Sequence, residues 1–409
     1  MNRPIHYAVV ASSACIVGAL LFGTVTAHSA TPDDSPYTQL MVFSEVLTKI
    51  KLEYVEEPDL KAVTMGAVNG LLESLDPFAS FLSADQYRQY QAEHGKNKAD
   101  VGLILSRGPG YLRIVDTLPG SAADKAGLAT GDVIESINKV STRDMPLASA
   151  EMLLQGDAGT IAELSVLTPK QTDPQIMKLA RAPLAYPAVS AKLMADKTSQ
   201  QVGLVTVGAL LEGRSKEIGQ KVQDLEKQGA KRIILDLRDC AVGPVEEGAA
   251  VADLFMESGL ITYTQGQKLR RTDVNAVAGS VTKLPLTVLT NRGTVGGAEV
   301  AAYALQASKR AKIVGEPTFG DAAVRKAVNL PDGSAVIMAV AKFYTPGGKS
   351  IQEAKMTPDV LQIQTPVVTD DDAVNETPNT KAGPQSASPT PAKAPQDMIL
   401  DKALLPEVK

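Results

Sequence analysis

The sequence predicts a mixed α/β (α+β) fold, with a helical N-terminal segment ahead of two strand-containing blocks. Three observations predict it. Apolar residues recur at spacings of three and four between Tyr37 and Tyr54 (Leu40, Phe43, Leu47, Ile50), which is the period of an amphipathic helix. The run from Lys231 to Leu237 is almost continuously apolar, as a strand covered on both faces must be. From Leu184 to Gln364, strand-like and helix-like segments alternate, the pattern of a sheet fed by crossover helices.

Composition narrows the function. The chain has 409 residues, 44% of them hydrophobic, and a net charge of −5, enough for two or three domains and without the basic bias of a nucleic-acid partner. It has no tryptophan and only 4% aromatic residues, which removes base-stacking platforms. The histidines are His6, His28 and His94, and the cysteines Cys15 and Cys240. The C-terminal half therefore lacks a histidine for a Ser-His-Asp triad, and no metal site or other cofactor is expected. Cys240 follows a strand and reads as a small buried residue rather than a thiol nucleophile.

Taken in order, residues 1–30 begin with a basic start (Arg3, His6) and an uncharged apolar run from Tyr7 to Val25. This is either a signal peptide with a small-residue cleavage site at Val25-Thr26-Ala27 or a membrane anchor, and both imply export. Residues 36–98 form a helical region. A helix over Tyr37–Tyr54 is followed by one over Leu60–Leu75, which stops at Asp76-Pro77 because the residue before proline avoids the helical region. Phe78, Phe81 and Leu82 then offer apolar contacts to another surface.

Residues 99–182 form the next block. In Leu118 to Asn138, Ser121 caps a short helix, Gly127 ends it in a left-handed turn, and Gly131-Asp132 turns into a strand over Val133–Ile137. A helix over Leu147–Leu154 and a closing strand over Gly156–Leu167 follow. This block resembles a PDZ domain, a module that pairs a peptide with an open sheet edge and seats its terminal carboxylate on backbone N–H groups. The resemblance puts peptide binding at Val101, Gly102, Leu103 and Ile104, with Gly102 allowing close backbone approach.

Residues 183–364 carry strands at Val202–Val207, Lys231–Leu237, Leu286–Leu289 and Lys312–Val314. Helices lie at Ser215–Gln228, Glu246–Met256 and Glu299–Ser308. A hairpin over Val324–Leu330 and Ala335–Val340 turns at Pro331-Asp332-Gly333. Residues 365–397, rich in Pro, Ala, Thr and Ser, are expected to be a disordered linker, and 398–409 a short docking helix.

Two segments carry the chemistry. Asn291 to Val300 reads N-R-G-T-V-G-G-A-E-V, and Gly315 to Arg325 reads G-E-P-T-F-G-D-A-A-V-R. Together with S-L-D-P near Asp76 and F-Y-T-P-G-G-K-S-I-Q from Phe343, they resemble the carboxyl-terminal (tail-specific) processing peptidases, PDZ-containing serine peptidases with an α/β sandwich core. The resemblance spans about residues 37–363. It implies a serine nucleophile activated by a lysine, with an assisting glutamine and an oxyanion loop.

Laid over this chain, the nucleophile falls on Gly296, the base on Asp321 and the glutamine on Arg325. In the oxyanion loop, D-L-R-D-C-A-V-G (Asp236 to Gly243), Val242 replaces the first glycine, while Gly243 and Gly297 remain as donors. Thr294 lies two residues from the nucleophile position, too far to replace it. Lys326, at an odd offset from the base position, points to the opposite strand face. Asp321 and Arg325 carry opposite charge and are expected to pair.

The reading is therefore an exported, catalytically inactive member of the family in the periplasm or cell envelope, with no catalytic residue expected. It would bind peptides or protein C-termini, and either self-associate or assemble with an active relative. Membrane contact would come only through an N-terminal anchor. Two alternatives stand beside it: an active serine-type endopeptidase with non-standard residues that processes envelope-protein C-termini, and a structural envelope protein.

Overall fold

The computed structural model describes residues 36–93, 99–108, 110–143, 145–168, 171–277, 279–354, 356–364 and 396–405. The expected targeting segment, 1–30, and nearly all of the expected linker, 365–397, lie outside them. The chain divides into two units, 1–67 and 68–409, the division falling inside a helix.

The first unit carries α1 (Pro36–Glu53) and the start of α2 (Leu60–Leu75). The Asp59 carboxylate caps α2 by accepting the N–H groups of Lys61 (2.9 Å) and Ala62 (3.1 Å), as an N-cap acid should. Leu40, Met41, Val42 and Val46 on α1 are exposed.

In the second unit, α2 ends where Asp76 was expected to stop it. The chain then forms a short strand, β1 (Ser80–Leu82), before α3 (Ala84–Glu93). The 36–98 segment is therefore not purely helical. Its Phe81-Leu82 pair sits in a strand because hydrogen-bonding partners come from residues more than 250 positions away: β1 pairs antiparallel with β16 (Ala335–Tyr344).

The PDZ block is an antiparallel sheet ordered β2 (Leu103–Arg107), β3 (Leu112–Thr117), β4 (Val133–Ile137), β6 (Ile161–Leu167), β7 (Gln175–Ala180), with β5 (Val140–Ser141) on β4. β2 is an end strand. Helix α4 (Ala122–Lys125) is capped by Ser121 as expected. Helix α5 (Leu147–Leu154) buries Leu147, Ala150 and Leu154 against Val101, Leu105, Ile134 and Leu164. Strand β7 was not anticipated; Gln175 to Ala180 alternates too weakly to stand out.

The core holds two sheets. One is ordered β17 (Val360–Leu361), β14 (Ala311–Gly315), β13 (Leu286–Thr290), β10 (Arg232–Asp236), β9 (Gln201–Thr206), β8 (Ser190–Ala195). It is parallel except for β8. Ile233 and Leu235 face α6 (Arg214–Lys227), α7 (Val245–Asp253) and α8 (Gly297–Ala307). Ile234, Leu204 and Leu289 face the opposite way, where α10 (Met398–Ala403) docks with Ile399 and Ala403. This double coverage is what made β10 read as a continuous apolar run.

The second sheet is antiparallel. The long β16 pairs with β15 (Ala323–Asn329) along one edge. β1 and then β11 (Leu260–Gln265) pair with it along the other, and β12 (Thr272–Asn275) follows β11. A short α9 (Ile351–Ala354) completes the elements.

Candidate active site

Strand β13 delivers the chain to a tight turn that opens α8. At the apex stands Gly296, with φ 61° and ψ −114°. Such positive-φ backbone is strained for any residue with a Cβ and free for glycine, and it is the sharp strand-to-helix geometry that presents a nucleophile. The space over the apex is open: a Cβ built on Gly296 would meet only the Asp321 carbonyl oxygen, at 3.6 Å. The turn has strand-to-helix geometry, and glycine stands at its apex.

The turn is held by Glu299, which is fully buried. Its Oε2 accepts the N–H groups of Gly296 (3.1 Å) and Asp321 (2.8 Å). Its Oε1 accepts Gly320 N–H (2.7 Å) and Thr318 Oγ1–H (2.5 Å). One carboxylate thus ties the nucleophile turn to the base loop. Burial pushes its pKa up to about 7 against the opposing pull of these donors. Sequence reading used Glu299 only to mark a helix start. The available signal was an acid at the third helical position, placed to reach back to the cap N–H.

At the base position Asp321 is nearly buried, and Arg325 meets it in a fork: Nη1 donates to Oδ2 (3.0 Å) and Nη2 to Oδ1 (2.5 Å). The expected pair therefore forms. It also has a third member. Arg325 Nε and Nη2 donate to Asp76 Oδ2 (3.3 Å) and Oδ1 (3.2 Å), and the guanidinium lies 4.5 Å from the centre of the Phe78 ring. Phe78 in turn packs edge-on against Phe319. Burial raises the Asp321 pKa, and Arg325 opposes the rise. The Arg325 cation is thus shared between two buried carboxylates.

Thr294 and Cys240, the hydroxyl and thiol near the turn, are both buried. Thr294 is fully buried; its Oγ1–H donates to Leu237 O (2.8 Å) and its oxygen accepts Asn291 N–H (3.1 Å). The Cys240 thiol is buried, and burial pushes its pKa up, away from the reactive thiolate.

The oxyanion loop keeps its approach to the turn. A Cβ on Gly297 would lie 2.8 Å from Pro244 O, and one on Gly243 only 2.0 Å from Leu210 O, so both positions need glycine. The N–H groups of Gly243 and Gly297 have no acceptor among the described residues. Val242 has its carbonyl occupied by Leu210 N–H (2.7 Å). Between α7 and the antiparallel sheet a cavity of about 440 Å³ is lined by Val245, Ala249, Ile261, Val324 and Phe343.

In the PDZ block, Val101 is fully buried and Leu103 and Ile104 begin β2 half-exposed. Gly102 departs from expectation. Its missing side chain makes room for Ser121, whose Cβ would lie 2.2 Å from an added Cβ, and its N–H donates to Asp100 Oδ1 (2.8 Å) rather than standing free.

Comparison with known proteins agrees with this geometry. The model of peptidase family S41 matches residues 201–362 and that of the PDZ domain residues 113–168. A carboxyl-terminal-processing protease of Picosynechococcus sp. is 33% identical over 304 residues, covering 74% of this chain and 73% of the relative. The chain belongs to the carboxyl-terminal processing peptidases of family S41.

A Synechocystis sp. protein of the same name is 31% identical over 78% of this chain and 75% of its own. A solved photosystem II D1 C-terminal processing protease aligns with a TM-score of 0.65 at 27% identity, over 79% of this chain and 92% of the other. Relatives in this family come from bacteria and chloroplasts, consistent with an extracytoplasmic location. Among the described residues, no helix is long and apolar enough to cross a membrane.

Proposed function

We propose that this S41 chain is a pseudopeptidase: it holds peptide segments through its PDZ domain and groove without cutting them, and so scaffolds or regulates rather than hydrolyses. The observation that carries the reading is the pairing of a bare Gly296 at the nucleophile turn with an Asp321 locked by Arg325 and Asp76. Acyl transfer needs a nucleophile and a base that can take its proton. Neither position supplies one, and the buried hydroxyl of Thr294 already donates to a backbone carbonyl. The unsatisfied N–H groups of Gly243 and Gly297 could dock a peptide carbonyl, and the largely apolar cavity lined by Val245, Ala249, Ile261, Val324 and Phe343 could take an apolar side chain.

The N-terminal sequence, a basic start and an uncharged apolar run, supports an exported protein of the periplasm or envelope. Assembly with an active relative would give a non-cutting chain its regulatory use.

The test is turnover. Purified protein is incubated with an unstructured polypeptide with an apolar C-terminus, and products are followed by mass spectrometry. No cleavage above a buffer control is expected. Cleavage that co-purifies with the chain and survives replacement of Thr294, Ser308 and Cys240 would refute the reading in favour of an active enzyme.

A further inference from the structure

The PDZ loop that should receive a peptide's chain end is already occupied by a carboxylate. In strand-addition binding, the N–H groups at Val101, Gly102 and Leu103 would face the ligand's terminal carboxylate. Here Gly102 N–H donates to Asp100 Oδ1 at 2.8 Å, and the Val101 N–H also acts on that carboxylate.

The arrangement is fixed from both sides. Asp100 exchanges backbone hydrogen bonds with Ala182, each 3.0 Å. Val101 O accepts Ala123 N–H (3.0 Å), and Gly102 O accepts Leu118 N–H (2.9 Å). Arg181, whose charge reaches Asp100, is committed elsewhere: its guanidinium donates to the carbonyls of Leu153, Leu154 and Ile161 and to Thr160 Oγ1. Glu151, on α5 across the groove, and Tyr186 also sense the Asp100 charge. Burial raises the Asp100 pKa, while the Gly102 and Val101 N–H groups oppose the rise.

The sheet edge beyond the loop remains usable but short. β2 is the end strand of its sheet, and at its far end Arg107 N–H donates to Pro77 O (2.9 Å). A ligand strand therefore has only the stretch from Leu103 to Ser106.

We propose that Asp100 is a specificity residue of the PDZ groove: its side chain holds the carboxylate position, so the groove takes internal segments or uncharged chain ends in preference to free C-termini. An incoming α-carboxylate would lose the Gly102 donor and meet a like charge, which is how a site discriminates against a ligand. The inference rests on the peptide-binding reading above and deepens it by excluding the ligand class the PDZ resemblance first suggests.

The test uses the purified chain, the Asp100→Ala and Asp100→Asn variants, and short fluorescent peptides with apolar ends, each made as a free acid and as a carboxamide. Binding is read by anisotropy. The wild type is expected to bind each carboxamide at least as tightly as its acid. Asp100→Ala should gain about tenfold in affinity for the acids, with the carboxamides changed by less than about twofold. If Asp100→Ala melts early, the near-isosteric Asp100→Asn reports the charge effect, and the wild-type comparison of acid with amide decides by itself. A wild type that prefers the acids overturns the inference and leaves peptide binding standing. Failure of every protein to bind either form overturns both.

Discussion

Replacing Arg325 by alanine removes the cation shared by Asp321 and Asp76, and the structure sets the size of the loss. The two carboxylates are about 90% and 93% shielded, with side-chain exposures of 10% and 7%, and the guanidinium is 23% exposed. Breaking a buried pair by deleting one partner costs about 3–5 kcal/mol because the remaining charge stays buried. Two considerations place the value near the lower end. Arg325 is partly solvated, and a stranded aspartate can protonate, which for an ordinary aspartate near neutral pH costs at most about 4 kcal/mol. Loss of the contact with the Phe78 ring adds about 0.5–1 kcal/mol. A loss of about 3.5–4 kcal/mol near neutral pH is expected, measured as a lower urea midpoint at unchanged slope.

The pH dependence supplies a second check with a fixed sign. Burial already raises the folded-state pKa of Asp321 above its unfolded value. Without Arg325 it rises further. Between the two values the folded state binds more protons than the unfolded chain, so stability falls as pH increases through that window. The deficit of Arg325→Ala should therefore be largest near neutral pH and shrink toward about pH 4. A loss below about 1 kcal/mol, or one that stays constant with pH, would show the cluster to be a solvated surface arrangement of the kind that contributes little.

Three further outcomes follow from the same geometry. The triple variant Gly296→Ser, Asp321→Lys, Arg325→Gln should acquire detectable hydrolysis of an unstructured polypeptide, since the apex has room for a Cβ, and adding Val242→Gly should raise it; a folded but inert quadruple variant would contradict this. Glu299→Gln should lose about 3 kcal/mol or more in a denaturation titration, because the amide turns an NH₂ toward donors that now bond to a carboxylate; a near-neutral change would refute the clamp. Gly243→Ala should be far more damaging than Gly127→Ala. The first puts a Cβ 2.0 Å from Leu210 O, whereas the second meets nothing within 4 Å and costs only the left-handed strain of about 1–2 kcal/mol; comparable melting temperatures would show that the Leu210 contact relaxes.

What was legible in the sequence follows from how local each cause is. α2 is legible at Leu60–Leu75 because its stop is a local Asp-Pro break; the Asp59 cap that starts it is equally local. α5 is legible at Leu147–Leu154 from the order of elements in the PDZ-like block, and β10 and β13 because both faces are covered. Among the strands that escaped, β1, β7, β8 and β12 are short or lie at sheet edges, and β12 is exposed throughout. Their pairing is decided by the neighbouring strand rather than by their own pattern. At the site, Gly296, Asp321 and Arg325 were found by motif position, and the pairing of the last two by charge and spacing. Asp76 was read only as a helix stop. Its salt bridge spans 249 positions of sequence, and nothing local signals it. Asp100 was passed over although it directly precedes the loop it occupies; an acid beside a carboxylate-binding loop was a visible warning.

The pattern of retained and altered residues separates the demands of folding from those of chemistry. Gly243, Gly248, Gly297 and Gly315 stand where a Cβ would collide with backbone at 2.8 Å or less. Glu299 holds four hydrogen bonds that fix two loops whether or not a nucleophile stands between them. Changing any of these would cost the fold itself. Position 296 carries no such demand: a serine side chain there would serve only attack, and glycine relieves the strain of its backbone. Positions 321 and 325 lie in a nearly buried pocket beside Asp76, where an unmatched charge would be expensive. A basic residue at one requires a compensating acid at the other or at Asp76, and the Asp321–Arg325–Asp76 cluster meets that requirement. The fold therefore makes no demand of its own for a hydroxyl at 296, and at 321 and 325 it demands only that buried charge stay matched. An Arg325→Ala, Asp321→Asn double variant should accordingly recover part of the stability that Arg325→Ala alone loses, because it withdraws one of the stranded carboxylates along with its cation.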